Sequence, residues 1–563
     1  MKDVTVNYIA TKTGLDTVEL NDYLLHSKYD PMKEAERIVQ KEHKENYVHV
    51  LFGYGLGYIA DVLKLKMKNK KELIVIDPFK SILCPDNDDV LDFENIELIR
   101  AKIWHTLRHD RRDIRIICSP NYDKLASEEH LLLLKSIKEI QYMKIVSENT
   151  NRFFNEIWQE NYIKNLVCAT QDASVSELYK VYNCPVVIAS GGPSLTKQLP
   201  LLKKIRNQII LIASGSTINS LLHERIEPDY VVSIDGSDAN YTHFKDLNLI
   251  DSTLLYSLTS NYKIQHEYTG ERYPFLPLMD NKHIEHRLRT AYHLQLPVIE
   301  GGASVANSAL TIAKYITSGP IALIGQDLAY TNNLSHAAHN KFQKAVDNVF
   351  YKENQAIEVE GYYGDKVMTD YPFLTMKESF EILHRRIKHS APVFNCTEGG
   401  LKIQGYDQIP FTQFINEYVS KDEVQKVKPL KKEYITLAEL GNIFAKEIEA
   451  YEKLEKLCNE AIDVLKKDEN KVVFSKNTLK ILNKVDKKVK EHSKEVLLYD
   501  IITPITMDVM RYFKEKENET PKERFERTYN QNKVLYSRLL EAIKKTKIFT
   551  LEAVEIIGNE KGE

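Results

Sequence analysis

The stretch from Val186 to Leu195 constrains the fold most, because a short apolar run ends there in two glycines, a proline and a serine. The run predicts a buried strand, and the pattern after it predicts a tight turn that opens directly into a helix. Glycines let a ligand approach the backbone closely, proline suits a first helical turn, and serine can cap it. We expect a row of free N–H groups at the positive end of that helix, which would hold a phosphate. The alternative is an ordinary strand-to-helix turn of a parallel sheet. The turn residues are Gly191, Gly192, Pro193 and Ser194.

Composition limits the classes of function. The chain has 563 residues, of which 43% are hydrophobic, so it is long enough for several domains. A net charge of -3 argues against bulk nucleic-acid binding. The six cysteines form no C-x-x-C pair, which favours reduced thiols over a zinc site or disulfides. The N-terminal residues contain no apolar signal segment and no window resembles a membrane span, so we expect a cytoplasmic protein.

The chain is predicted to have three parts, with boundaries at 1–164, 165–415 and 416–563. In the first part, a strand at His49–Phe52 precedes Gly53-Tyr-Gly-Leu-Gly57, a helix, a strand at Leu73–Ile76 and then Asp77. This is the outline of a nucleotide-binding βαβ unit, in which Asp77 stands where an acid would meet a ribose hydroxyl. The alternative is a glycine turn that only packs a helix on a sheet. Further strands are predicted at Ile96–Ile103 and Ile114–Ser119.

In the central part, the predicted strands end in small or polar residues. The carboxyl ends of parallel strands form the ligand crevice of an open α/β sheet, so these residues together predict one shared site. Each loop taken alone could be ordinary loop composition. The candidate residues after the successive strands are Ser214, Gly215 and Ser216; Asp235; Thr259, Ser260 and Asn261; Gly302 and Ser304; and Gln326.

Two histidines, His336 and His339, follow Asp327 and Tyr330 closely along the chain. Histidine is the common general base near neutral pH, and an acid or a tyrosine could orient it or protonate a leaving group. The i, i+3 spacing could also hold a metal ion, although no third ligand stands at a telling distance. The alternative is a pair of exposed loop histidines.

Two further regions complete the chain. Glu398 lies in a glycine-punctuated loop that could close the crevice or only turn the chain. Residues 425–563 are rich in lysine and glutamate, poor in glycine and helically periodic. They predict a helical domain with solvated charged faces, or alternatively one that holds a partner protein.

Five motifs in this order resemble the motility accessory factor (Maf) flagellin glycosyltransferases. The resemblance implies transfer of a pseudaminic- or legionaminic-type nonulosonic acid from a CMP-activated donor to flagellin Ser or Thr. It implies an α/β fold with a Rossmann-like N-terminal module, a central Rossmann-like or GT-A-type, sialyltransferase-like parallel-sheet domain, and a C-terminal helical domain. The motifs are Ser190-Gly-Gly-Pro-Ser-Leu195, Ser233-Ile-Asp-Gly236, Gly325-Gln-Asp-Leu-Ala-Tyr330, Ser335-His-Ala337 and Asn395-Cys-Thr-Glu-Gly-Gly400.

The central part is also similar to bacterial sialyltransferases, in which a glycine turn holds the CMP donor and a Ser-His segment supplies a histidine. By that likeness Asp327 matches the acid near the sugar, and His336 or His339 matches the base. Ser190-Gly191 stands where the sialyltransferase pattern has Gly-Asn, so the asparagine's contact is not carried over. Tyr330 would then steady the leaving phosphate, while the other strand-end residues and Glu398 surround the donor.

A second resemblance, to archaeal 6-hydroxymethylpterin diphosphokinases of the MptE type, implies a different reaction. There Asp235, Asp238 and Asp327 would hold magnesium for pyrophosphoryl transfer from ATP. The long N- and C-terminal parts favour a protein acceptor instead, since a small pterin needs no such surfaces. A non-catalytic flagellin-binding protein is the third alternative, and dependence on a divalent metal stays open.

Overall fold

The computed structural model describes residues 4–45, 47–67, 73–108, 113–278, 282–429, 434–516 and 519–560. The chain divides into two compact units, Met1–Phe153 and Phe154–Glu563, and a long helix contains the division. The central sheet and the C-terminal helices both belong to the second unit. The three-part boundaries at 1–164, 165–415 and 416–563 stay predictions.

The first unit contains two small sheets. One is antiparallel, in the order β1-β2-β3, and the other is parallel, in the order β6-β5-β4-β7. The predicted βαβ unit is confirmed, because β4, α2 and β5 follow one another as expected. The strands are β1 (Val6–Ala10), β2 (Asp16–Leu20), β3 (Tyr23–Leu24), β4 (Tyr47–Phe52), β5 (Leu73–Asp77), β6 (Val90–Asp92) and β7 (Asp113–Cys118), and the helices are α1 (Pro31–Glu42), α2 (Tyr58–Lys66), α3 (Lys80–Leu83), α4 (Ile96–Arg108), α5 (Tyr122–Leu125) and α6 (Ser127–Ala169).

The strand predicted at Ile96–Ile103 is wrong, because these residues begin helix α4. Ile99, Ile103 and Leu107 are buried at four-residue spacing, which is the period of a helix rather than of a strand. The aliphatic composition of the stretch suggests a strand, whereas the spacing of its buried residues gives a helix.

The second unit is built on a nine-stranded sheet in the order β13-β12-β11-β10-β9-β8-β14-β17-β18, and every pair in it is parallel. A separate hairpin pairs β15 with β16. The strands are β8 (Val186–Ala189), β9 (Ile210–Ser214), β10 (Tyr230–Ser233), β11 (Thr253–Ser257), β12 (Arg272–Pro277), β13 (Val298–Ile299), β14 (Ile321–Ile324), β15 (Ile357–Glu360), β16 (Lys366–Thr369), β17 (Val393–Asn395) and β18 (Asp407–Gln408).

Helices cover both faces of this sheet, which explains why its central strands are continuous apolar runs. Successive residues of β8 alternate between the two cores: Val187 and Ala189 pack on one side, Val186 and Ile188 on the other. The helices around the sheet are α7 (Leu195–Lys204), α8 (Thr217–His223), α9 (Asp238–Phe244), α10 (Tyr262–Glu267), α11 (Lys282–Ala291), α12 (Val305–Ile316), α13 (Asn348–Glu353), α14 (Tyr371–Arg386) and α15 (Phe411–Tyr418).

The C-terminal part is helical, as predicted. A third core joins its helices, and α16 packs along α19. Thr436 and Glu439 form a capping box that starts α16. Among the residues that the structure describes, no helix combines the length and the apolar character needed to cross a lipid bilayer. The helices are α16 (Leu437–Lys466), α17 (Lys476–His492), α18 (Tyr499–Tyr512) and α19 (Pro521–Glu560).

The strand order places a crevice at one point of the large sheet. From β8 the chain moves outward through β9 to β13 on one side, then returns to β14 and continues to β17 and β18 on the other. Ligands of open α/β sheets bind beyond the carboxyl ends of the strands at such a reversal. The turn after β8 and the loop after β14 meet there.

Candidate active site

The turn between β8 and α7 is tied to the end of β14. The N–H groups of Ser190 and Gly192 donate to the carbonyl oxygens of Ile324 and Gly325, at 3.0 and 2.8 Å. The N–H groups of Ser194, Leu195 and Thr196 also have acceptors within the protein. The expected row of free N–H groups is therefore wrong, because these five amides donate hydrogen bonds within the protein. The Gly191 N–H has no acceptor among the described residues.

The side chain of Asp327 binds this turn through Ser194. Its carboxylate accepts the Ser194 hydroxyl at 2.7 Å and the Ser194 N–H at 3.2 Å. Asp327 is 1% exposed, and burial raises the pKa of its carboxyl group, while the hydrogen bonds from Ser194 act in the opposite direction. A Cβ at Gly192 would overlap this carboxylate, so only glycine fits. Asp327 positions the turn, and catalytic or donor contacts from Asp327, Pro193 or Ser194 stay predictions.

The turns after β8 and β9 meet the loop that carries the histidines. The Ala337 N–H donates to the Gly191 carbonyl at 2.9 Å, and Asn340 Nδ2 donates to the Ser216 carbonyl at 2.9 Å. A Cβ on Gly191 would stand 3.0 Å from Asn340 Nδ2 and 3.1 Å from Ser216 Oγ. The structure therefore brings the predicted residues Gly191 and Ser216 together, and adds Asn340, which the sequence analysis missed.

Gln326 lies beside this group at the end of β14. Ser190 Oγ donates to Gln326 Oε1 at 2.5 Å, and the Gln326 N–H donates to Thr397 Oγ1 at 3.1 Å. These bonds fix the side-chain amide, whose Nε2 has no acceptor among the described residues. Gln326 is thus an oriented hydrogen-bond donor at the reversal of the strand order. Ser214, in the neighbouring turn, is buried, and its hydroxyl pairs with that of Thr217 at 3.3 Å.

The two histidines of the loop lie in different surroundings. His336 is half-buried, its Nδ1 is buried without a hydrogen-bond partner, and burial lowers its pKa. His339 is exposed and has a φ of 62°. Its ring stacks on that of His223 with centroids 3.4 Å apart. His336 is therefore the better candidate for a general base, since a half-buried neutral imidazole can accept a proton at pH 7.

Tyr330 packs in an aromatic cluster instead of standing free in the crevice. Its ring lies within 5.7 Å of those of Phe350, Tyr351 and Phe373. Its hydroxyl donates to Asp370 at 2.6 Å, and burial raises its pKa. The Tyr330 hydroxyl is thus hydrogen-bonded within the protein, and its contact with a leaving phosphate stays a prediction.

The end of β11 is closed by the last turns of α6. Asn165 Nδ2 donates to the carbonyls of Leu258 and Ser260, at 2.9 and 2.8 Å, and Asn161 donates to that of Thr259 at 3.3 Å. The Ser260 hydroxyl donates to Ser257 O at 2.8 Å. Thr259, Ser260 and Asn261 are all buried, so this part of the predicted crevice is covered by the protein itself.

The remaining predicted residues lie at other strand ends. Asp235 is exposed after β10, and its Oδ1 accepts the Ser237 N–H at 2.9 Å. Ser304 caps α12 in a capping box with Asn307, and a Cβ at Gly302 would meet that asparagine at 2.8 Å. Glu398 Oε2 accepts the N–H of Phe411, the first residue of α15. Gly215 is buried beside α9.

Sequence reasoning also missed His243, at the end of α9. Its ring lies edge-on against Phe342, a residue of the histidine loop, with centroids 4.8 Å apart. None of the sequence motifs contains His243. The signal that could have found it is its position in α9, the helix that follows the polar residues at the end of β10. Among the described residues, no group of three or more histidine, cysteine or acidic side chains is arranged to hold a metal ion.

In the first unit, the glycine turn after β4 is filled by the protein's own side chains. Tyr122 donates to Asp77 Oδ2 at 2.7 Å, and the N–H groups of Tyr54 and Gly55 donate to the same oxygen. A Cβ at Gly53 would stand 2.5 Å from the Tyr122 ring. Asp77 is fully buried, so the expectation that it meets a ribose hydroxyl is wrong: it fixes the turn.

Comparison with known proteins agrees with this architecture. Residues 160–333 match the family described as 6-hydroxymethylpterin diphosphokinase MptE-like. Among solved structures, a MAf glycosyltransferase from Magnetospirillum magneticum AMB-1 is similar, with a TM-score of 0.53 and 14% identity over 98% of this chain and 92% of that chain. No curated protein matches significantly. The chain is therefore Maf-like in fold and has an MptE-like domain at its centre.

Proposed function

We propose that this protein is a glycosyltransferase that moves a nonulosonic acid, of the pseudaminic or legionaminic type, from a CMP-activated donor to Ser or Thr hydroxyls of flagellin. The fold shared with a MAf glycosyltransferase supports the reaction class. The observation that carries the proposal is the crevice after β8 and β14. There the Ala337 N–H, next to His336, donates to the Gly191 carbonyl, while the Gly191 N–H and the side-chain Nε2 of Gln326 have no acceptors among the described residues.

The proposed reaction is a direct displacement. The acceptor hydroxyl oxygen forms a bond to the anomeric carbon, the bond from that carbon to the phosphate oxygen breaks, and CMP leaves with the electron pair. His336 takes the hydroxyl proton, which the lowered pKa permits because its imidazole is neutral at pH 7. The Gly191 N–H, Gln326 Nε2 and Ser216 Oγ are the donors available to the phosphate. A single phosphate carries less charge than a diphosphate, so no step is assigned to a metal ion.

Replacement of His336 tests this assignment. His336→Asn should lower kcat for sugar transfer by about 100-fold or more, because general-base assistance of that size is lost. The dissociation constant for CMP should change little, since the donor groups of the turn remain. His339→Asn is the matched control and should retain transfer, because His339 stacks outside on His223. Wild-type kcat in His336→Asn would remove His336 from the mechanism.

The MptE-like match favours a second candidate, pyrophosphoryl transfer from ATP to a hydroxymethylpterin. The three carboxylates that this reaction would use to hold magnesium each have a different partner within the protein. Asp327 accepts from Ser194, Asp238 pairs with Lys263 at 3.0 Å, and Asp235 accepts from Ser237. Formation of AMP from ATP only when pterin is present would support this alternative. A flagellin-binding protein without transfer would bind flagellin equally well with or without His336.

A further inference from the structure

A second imidazole, that of His243, contacts Phe342, the ring that also lies near the proposed base. The His243 ring centroid is 4.8 Å from that of Phe342, and the His336 centroid is 6.1 Å from it. The Nδ1 atoms of both histidines are buried without hydrogen-bond partners. Two imidazoles from different elements, α9 and the histidine loop, therefore lie near one aromatic ring.

The His243 ring lies at the turn after β9, within the group of loops that forms the crevice. A Cβ on Gly215 would stand 3.9 Å from His243 Cδ2, and the next residue, Ser216, adjoins Gly191. On the same helix, Asn240 Nδ2 donates to Ser233 Oγ and to the Asp235 carbonyl, at 3.0 and 2.8 Å. These bonds fix α9 against the end of β10. His243 is thus held in place, and its Nε2 forms no hydrogen bond with any described residue.

The charged groups around His243 favour an anion. Lys341 Nζ donates to the Thr242 carbonyl at 2.8 Å, which holds a cation beside the ring. Burial lowers the pKa of His243, Lys341 and His336 lower it further, and Asp235 raises it. The ring is therefore neutral at pH 7 and carries one N–H that can donate.

We propose that His243 donates a hydrogen bond to the phosphate of the CMP leaving group, while His336 accepts the proton of the attacking hydroxyl. This inference rests on the proposed function. The bonds that form and break are those of the displacement above, and His243 keeps its proton throughout. Negative charge grows on the phosphate as the sugar departs, so a fixed donor stabilises the transition state more than the bound donor.

Three substitutions test the proposal. His243→Phe and His243→Leu fill similar space without an N–H, and each should lower kcat about 10- to 100-fold with little change in KM for the acceptor. His243→Gln, which restores a donor, should recover at least part of that loss. His384→Phe is the matched control, because His384 is also half-buried with an unpaired Nδ1 beside an aromatic ring, Tyr406. It should leave kcat unchanged.

The outcomes separate the two proposals. If the wild-type protein transfers no sugar, the proposed function fails and this assignment with it. If the wild-type protein transfers sugar and either folded variant without the N–H keeps wild-type kcat, the role of His243 alone is overturned. A loss of kcat that His243→Gln does not relieve also overturns it, because packing rather than the donor would then be responsible.

Discussion

Many small polar residues of the central domain form hydrogen bonds within the protein itself. Ser194 is engaged by Asp327, Ser260 by Ser257, and Ser304 by Asn307. The sequence predicts where such residues cluster, since strand ends are visible as the ends of apolar runs. It does not reveal which are engaged, because the Asp327 partner of Ser194 lies 133 residues away. Gly191, Ser216, Gln326 and His336 are the predicted residues that the structure leaves best placed for a ligand.

One histidine of the first unit gives a pH dependence of stability. His26 is 3% exposed, its Nε2 accepts the Leu56 N–H at 2.9 Å, and burial lowers its pKa to about 4. The folded-state pKa thus lies below the ordinary value of 6.5, so the contribution to stability is complete above pH 6.5 and is lost as pH falls towards 4. Between pH 6.5 and 5 the loss should be about 2 kcal/mol.

Urea denaturation of the full chain at these two pH values measures this loss. His26→Gln, whose side chain can still accept from Leu56 but does not titrate, should lose about 2 kcal/mol less than the wild type over the same interval. Substitution of the exposed His105 is the control and should follow the wild type. Equal losses in wild type and His26→Gln would contradict the role of the buried imidazole.

Among the elements, helix α6 covers part of the predicted crevice. Its asparagines at 161 and 165 lie one helical turn apart and bond to carbonyls beyond β10 and β11. In the sequence these asparagines belong to a mixed helical stretch with no visible partner. The crevice was therefore predicted at too many strand ends, and the end of β11 is a packing surface for α6.

Removal of one asparagine tests that account. Asn165→Leu leaves the carbonyls of Leu258 and Ser260 without their donor, so it should lower the free energy of unfolding by about 2–3 kcal/mol. Glu156→Gln, at an exposed position on the same helix, should change it by less than about 0.5 kcal/mol. Equal stability of the two variants in urea denaturation would show that the asparagine does not fix α6 to the strand ends.

The buried strands are the elements that the sequence predicts best. A strand with both faces covered is a continuous apolar run, which is visible in the sequence. The predicted strands of this kind that the structure confirms are β4, β5, β8, β9, β10, β11 and β14. β12 escaped prediction because Arg272, Pro274 and Pro277 interrupt it. The exposed strand β1 escaped because most of its residues face solvent and show no alternation.

At the scale of the whole molecule, the chain contains two glycine turns after parallel strands, with opposite outcomes. In the first unit, Tyr122 and Asp77 occupy the space beside the turn. In the second, the turn lies at the reversal of the strand order and beneath a loop that carries His336. Both turns look alike in sequence, because the residues that fill or flank them come from distant parts of the chain. The proposed function assigns sugar transfer to the second turn.

Intact mass spectrometry of flagellin measures whether the protein transfers the sugar. Flagellin is incubated with the wild-type protein and CMP-pseudaminic or CMP-legionaminic acid, and with His336→Asn under the same conditions. We expect the wild-type protein to raise the mass of flagellin by whole sugar residues from at least one donor, and the variant to do so about 100-fold more slowly. Unchanged flagellin mass with both donors and the wild-type protein would contradict the proposed function.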